Sequence, residues 1–115
     1  MKKASFRIVF SLLTILAMVN VYAQESKEQE GLWIDVRTVE EFNRGHIEGA
    51  LNIPHGDIAH KISAIATDLE QPIHLYCQSG VRSGLALEIL MEMGYQNVVN
   101  EGGYPALVAK QQAQQ

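Results

Sequence analysis

Between Leu32 and Gln111 short apolar runs alternate with stretches of helical periodicity. That alternation constrains the fold more than any other feature of the chain. Leu32-Trp33-Ile34-Asp35-Val36 has the length and β-forming composition of a buried strand. Thr38 and Glu41 stand at capping-box spacing and start a short helix that Gly45 stops. Ala50-Leu51-Asn52-Ile53 before Pro54 reads as a second strand. Ile58, Ile62, Ile65 and Leu69 mark an amphipathic helix from about Asp57 to Leu69. Pro72 to Tyr76 is a third strand. Ser83 to Met93 is a helix with Leu85, Ala86, Ile89, Leu90 and Met93 on one face, ended by Gly94. Asn97 to Asn100 is a fourth strand, Gly102-Gly103 a turn, and Tyr104 to about Gln111 a weak last helix. Strands alternating with helices over so short a span predict an α/β domain, a small, mostly parallel sheet flanked by helices.

The N-terminus has another character. Lys2, Lys3 and Arg7 precede an apolar block from Ile8 to Ala23, and no acidic residue appears before Glu25. The block spans 16 residues, is interrupted by Ser11, Thr14 and Asn20, and ends Val21-Tyr22-Ala23. A basic start, an apolar centre and small residues before a cut describe a secretory signal peptide over residues 1–23. A retained membrane anchor would need about 20 apolar residues. The expected organisation is therefore a signal peptide at 1–23, a flexible polar lead-in at 24–31, the domain at 32–110 and a polar tail at 111–115. Cleavage after Ala23 leaves 92 residues with a net charge of −7 in an extracytoplasmic, periplasmic setting, with no membrane association after the cut. An acidic chain without a basic face argues against nucleic acid as partner. One cysteine excludes an internal disulfide and any Cys-rich metal site.

That cysteine directly follows the third strand, and ligands of open α/β sheets bind at the carboxyl ends of strands. Cys77-Gln78-Ser79-Gly80-Val81-Arg82-Ser83 leads directly into a helix. Gly80 permits a turn that other residues resist, and Arg82 carries a permanent charge. If the loop curls, the N–H groups of residues 78 to 83 face the sulfur, and with the helix dipole they favour an anion. A lone cysteine is commonly a buried core thiol, but a core thiol needs no following glycine, arginine and helix start. The pattern points to a reactive thiolate. At an ordinary pKa of ~8.5 only about 3% of thiols ionise at pH 7, and a drop of roughly two units raises this to about 75%.

Other polar residues carry weaker signals. Asp35 and Arg37 follow the first strand toward the same sheet edge, where they either brace the loop or form a structural ion pair. His46 reads as a scaffold histidine, and His74, mid-strand, as structural. His55 and His60 lack the spacing of a helical metal pair, so no metal ligands are assigned. Trp33 is a core residue by position.

The Cys77–Ser83 loop resembles the active-site loop of rhodanese-type sulfurtransferases. Ile34-Asp35-Val36-Arg37, Glu41-Phe42 and Gly45-His46-Ile47-Glu48-Gly49-Ala50-Leu51-Asn52-Ile53-Pro54 resemble that family's other signature, and Gly94-Tyr95 with Glu101-Gly102-Gly103-Tyr104 its closing elements. The resemblance implies the rhodanese fold and transfer of a sulfur atom from thiosulfate through a Cys77 persulfide to cyanide or a thiol, with a partner protein as a further conceivable acceptor. It implies no metal or organic cofactor. It makes Cys77 catalytic and gives Gln78, Ser79, Gly80, Val81, Arg82 and Ser83 to substrate binding. Related cysteine phosphatases and arsenate reductases use a C-x5-R loop, whereas Cys77 and Arg82 stand at C-x4-R spacing. A non-catalytic sulfur-carrier module is the other alternative, which turnover with free thiosulfate and cyanide separates from an enzyme.

Overall fold

The computed structural model describes residues 31–115; the expected signal peptide and nearly all of the lead-in lie outside the described residues. Four strands, β1 (Leu32–Asp35), β2 (Leu51–Asn52), β3 (Ile73–Cys77) and β4 (Val98–Gly103), form one sheet in the order β2-β1-β3-β4, and every neighbouring pair is parallel. The helices are α1 (Val39–Arg44), α2 (Ile58–Ile65, preceded by a 3-10 turn at His55–Asp57), α3 (Val81–Glu92) and α4 (Tyr104–Ala113). The predicted α/β architecture is the one observed.

Strand alternation builds two cores. Ile73, Leu75 and Cys77 of β3 point to one face, where they pack with Ile34, Val36, Ile53, Ile58, Ile62, Ala86 and Leu90. Tyr76 points to the other and packs with Ile47 and Ala50 under Trp33, Tyr104, Leu107 and Val108. The sheet is thus covered on both sides, as parallel sheets require. Trp33 departs from its expected core position. It is half-buried, stacks on His74 with ring centroids 4.7 Å apart, and walls an open hollow of about 300 Å³ with Ile47, Glu101, Leu107 and Lys110.

Element ends differ from the sequence reading for local reasons. α2 stops at Ile65, not Leu69. Asp68 accepts the Glu70 N–H on its own carboxylate (2.9 Å), an Asx turn that competes with a further helical turn, and the Tyr95 hydroxyl takes the Ala66 carbonyl at 2.6 Å. α3 begins two residues earlier than expected. Its buried line is Ser83, Ala86 and Leu90, while Leu85 and Met93 of the predicted face are exposed. The inward position of Ser83 sets that rotation. α4 runs through Ala113, so the polar tail starts as helix.

The largest difference is at Gly102-Gly103, which is no turn. β4 continues through both, with an extra residue between the Leu75–Asn100 and Cys77–Gly103 pairs. Gly102 takes φ 92°, and Gly103 lies so close to β3 that a Cβ there would stand 2.6 Å from the Gln78 carbonyl oxygen. These glycines let β4 carry the backbone of the cysteine loop.

Candidate active site

The connection from β1 leads to β2 on one side, and that from β3 leads to β4 on the other. The strand order therefore reverses between the carboxyl ends of β1 and β3, the place where open α/β sheets form a crevice. Asp35 and Arg37 stand at one lip and Cys77 at the other.

Cys77 ends β3 fully buried. Gly80, at φ 96°, bends the loop back so that its N–H donates to Sγ at 3.0 Å. The first intrahelical bond of α3 runs from the Gly84 N–H to the Gly80 carbonyl, so the N–H groups of Val81, Arg82 and Ser83 have no acceptor within the helix. The Ser83 N–H turns to Sγ at 3.4 Å. The Ser83 hydroxyl is also 3.4 Å from Sγ and donates to Asn100 Oδ1 at 2.7 Å. Burial pushes the thiol up. In the thiolate form, hydrogen bonds from the Ser83 hydroxyl and from the Ser83, Ser79 and Gly80 N–H groups outweigh it, and the thiol sits below its ordinary range. The expected ring of donors thus reaches the sulfur from part of the loop. Gln78, Ser79 and Val81 are exposed beside it.

Arg82, which the resemblance gives to substrate binding, has a protein partner in the folded chain. Its guanidinium makes a two-pronged ion pair with Glu41 of α1, Nη1 to Oε1 at 2.7 Å and Nη2 to Oε2 at 3.0 Å. Glu41 is the capping-box residue anticipated for α1 and still accepts from the Thr38 backbone and hydroxyl. Arg82, with further hydrogen bonds from Thr38, holds the Glu41 carboxyl down at about 2 despite its partial burial.

Asp35 and Arg37 fulfil both readings offered for them. They form a buried ion pair at 2.7 Å, and the Arg37 backbone N–H also donates to Asp35. Arg37 then reaches across the crevice to Gln78 Oε1 at 3.3 Å, donates to the Gly45 carbonyl at 2.7 Å, and lies 4.3 Å over the Tyr104 ring. Gln78 is therefore engaged by Arg37 in this structure. His46 is a scaffold residue, with Nδ1 2.9 Å from the Phe42 carbonyl oxygen and its ring stacked on Phe42. His74 pairs with Glu101 at 2.8 Å on the sheet face opposite Cys77.

Sequence reading missed two residues at this site. Asn100 receives Ser83 and the Gly102 N–H on Oδ1 and donates Nδ2 to the Gly80 carbonyl at 3.0 Å. It read as the end of a strand, and the only signal was a short polar side chain ahead of two glycines. Glu41 read as a cap alone, and nothing local tied it to an arginine 41 residues away.

A family model described as the rhodanese-like domain matches residues 19–110. Thiosulfate sulfurtransferase PspE of Escherichia coli is 44% identical over 71 residues, covering 62% of this chain and 68% of that protein. Thiosulfate sulfurtransferase GlpE of Shewanella oneidensis is 33% identical over 89 residues, covering 76% of this chain and 86% of that protein. Among solved structures, an E. coli rhodanese with anions superposes with a TM-score of 0.61 at 43% identity, covering 63% of this chain and 85% of that one. The family match spans both lips of the crevice and the β4 segment that supports the loop, and on that basis the chain belongs to the rhodanese-like family.

Proposed function

We propose that this protein is a thiosulfate sulfurtransferase with Cys77 as its nucleophile. The observation that carries the reading is the sulfur at the end of β3, held by the Gly80 N–H at 3.0 Å and the Ser83 N–H at 3.4 Å, with its pKa lowered. The names of the two relatives support the same activity.

In the first step the Cys77 thiolate attacks the outer sulfur of thiosulfate. The new S–S bond forms as the old one breaks, and sulfite leaves with the electron pair. In the second step cyanide or a thiol attacks the outer sulfur of the Cys77 persulfide, and Cys77 departs as thiolate. This is covalent catalysis with ping-pong kinetics. The Gly80 and Ser83 N–H groups stabilise charge on sulfur, and the N–H groups of Val81 and Arg82 suit the sulfonate oxygens. A donor meets exposed Gln78, Ser79 and Val81 first, and Arg82 can bind it only by sharing its guanidinium with Glu41. The reading includes export to the periplasm after a cut at Ala23.

Intact-mass measurement tests it. Thiosulfate adds one sulfur atom to the protein, cyanide removes it, and Cys77→Ser shows neither event. An unchanged mass after thiosulfate, or turnover near wild type in Cys77→Ser, overturns it. An exported chain beginning at Gln24 supports the localisation; a retained Met1 in a membrane fraction overturns that part.

A further inference from the structure

The Ser83 hydroxyl has one proton and two claimants. Its Oγ lies 2.7 Å from Asn100 Oδ1 and 3.4 Å from Cys77 Sγ. The orientation of the Asn100 amide is fixed by its other partners, because the Gly80 carbonyl can only accept and the Gly102 N–H can only donate. Oδ1 therefore faces Ser83, and the hydroxyl proton lies on the short contact to Asn100. With that proton committed, the contact to sulfur can be made only by the S–H donating to Oγ. This arrangement suits the neutral thiol.

We propose that Asn100 is a positioning residue for Cys77, competing with the thiolate for the single proton of Ser83 and so setting how readily the thiol ionises. When the thiol gives its proton to water or a buffer base, the Ser83 O–H breaks its bond to Asn100 and turns onto Sγ. Asn100 keeps the Gly102 N–H. When sulfur becomes neutral again, as the inner atom of a persulfide, the hydroxyl returns to Asn100. The inference deepens the sulfur-transfer reading, which makes Cys77 cycle between charged and neutral sulfur, but it concerns ionisation alone.

Charged groups around Cys77 are mutually paired. Arg82 of α3 is held by Glu41 of α1, Arg37 beyond β1 by Asp35, and Glu101 of β4 by His74 on the opposite sheet face. The uncharged Ser83–Asn100 contact is then the adjustable element next to the sulfur.

The test is a pH titration of thiolate absorbance, without any sulfur donor, in wild type, Asn100→Ala, Ser83→Ala and the double variant, and in Asn100→Asp with and without Ser83. Removing Asn100 releases the Ser83 proton to sulfur, so Asn100→Ala increases the Cys77 ionisation constant about three- to tenfold, the scale of one hydrogen bond. In the Ser83→Ala background the same change has no such effect. Asn100→Asp keeps the acceptor and strengthens it, so it decreases the ionisation constant, and by more when Ser83 is present than when it is absent. An unchanged or decreased constant in Asn100→Ala overturns the proposal, as does an equal increase with and without Ser83, which would mean that Asn100 acts only through loop shape. Because no donor is present, a protein that fails to take sulfur from thiosulfate yet shows this pattern refutes the proposed function and leaves the inference standing.

Discussion

Two arginine–carboxylate pairs flank the cysteine loop, and both close at 2.7 Å, yet they sit in different surroundings. The Asp35–Arg37 side chains are 0% and 4% exposed, and those of Glu41 and Arg82 are 24% and 28% exposed. The buried pair stands two positions apart in sequence and ties three segments together: the end of β1, the Gly45 turn and Gln78. The outer pair joins α1 to the first turn of α3 and has no other tie to the loop side chains. A buried pair that loses one partner leaves a desolvated charge, whereas a half-exposed pair can exchange partners with solvent or with an arriving anion. Similar geometry thus gives a brace in one place and an adaptable contact in the other.

The sharpest way to break this contrast is Asp35→Ala. It strands the Arg37 guanidinium, and we expect a loss of about 3–5 kcal/mol in unfolding free energy, read by urea denaturation. A loss below about 1 kcal/mol would place Arg37 in contact with solvent and erase the distinction. Arg82→Ala should reverse the emphasis. Stability falls by only about 1 kcal/mol, while thiosulfate capture weakens by about 1.5–3 kcal/mol, seen in kcat/KM. Glu41→Gln sharpens the point, because it keeps the fold contacts but releases the cation. Capture should then rise several-fold. Unchanged kinetics in both variants would put Arg82 outside the site.

Acid separates the pairs further. Glu41 is held at about 2, below its ordinary 4.5, by its hydrogen bonds to Arg82, with Thr38 assisting. A depressed carboxyl stabilises the folded state fully above its unfolded pKa and loses that contribution as pH falls through the folded value. Stability should therefore decline between about pH 4.5 and pH 2 by about 1 kcal/mol from this pair. In Glu41→Gln the decline over that window should be smaller by the same amount. An acid limb identical to wild type would mean that Arg82 does not hold Glu41 in solution.

How much of this was legible follows the range of each interaction. Leu32–Asp35, Ile73–Cys77 and the Thr38–Glu41 cap are encoded by neighbours, through β-forming composition and a fixed three-residue spacing, and the folded chain has them. The cysteine loop was legible for the same reason, since strand end, glycine, arginine and helix start are contiguous. Arg82 was visible as a charge but not as a partner of Glu41, because residues 41 apart meet only once α1 and α3 are packed. Asn100 was hidden in the same way: its value depends on a bulge at Glu101-Gly102 that shifts β4 against β3. Gly103 looked like half of a turn because Gln78, whose close approach demands a glycine, belongs to the loop after β3. Local chemistry announces where a nucleophile sits; the groups that tune it arrive from distant chain.

The smallest expected effect is that of salt. After the expected cut at Ala23 the chain carries −7, and thiosulfate is a dianion, so bulk charge opposes their encounter. Neither flanking pair offers an uncompensated cation to steer it, since Arg37 and Arg82 are both matched by carboxylates. Capture must then rely on groups acting at contact, the loop N–H groups and the Arg82 guanidinium shared with Glu41. At physiological ionic strength the Debye length is ~8 Å, so salt screens the distant acids and leaves these contacts intact. Raising salt from very low to physiological levels should leave kcat/KM for thiosulfate unchanged or slightly higher. In Glu41→Gln, where Arg82 is unmatched, the same change should lower it. A steep loss in the wild-type protein would show that Arg82 already acts as an open cation, and that the outer pair is broken in the working enzyme.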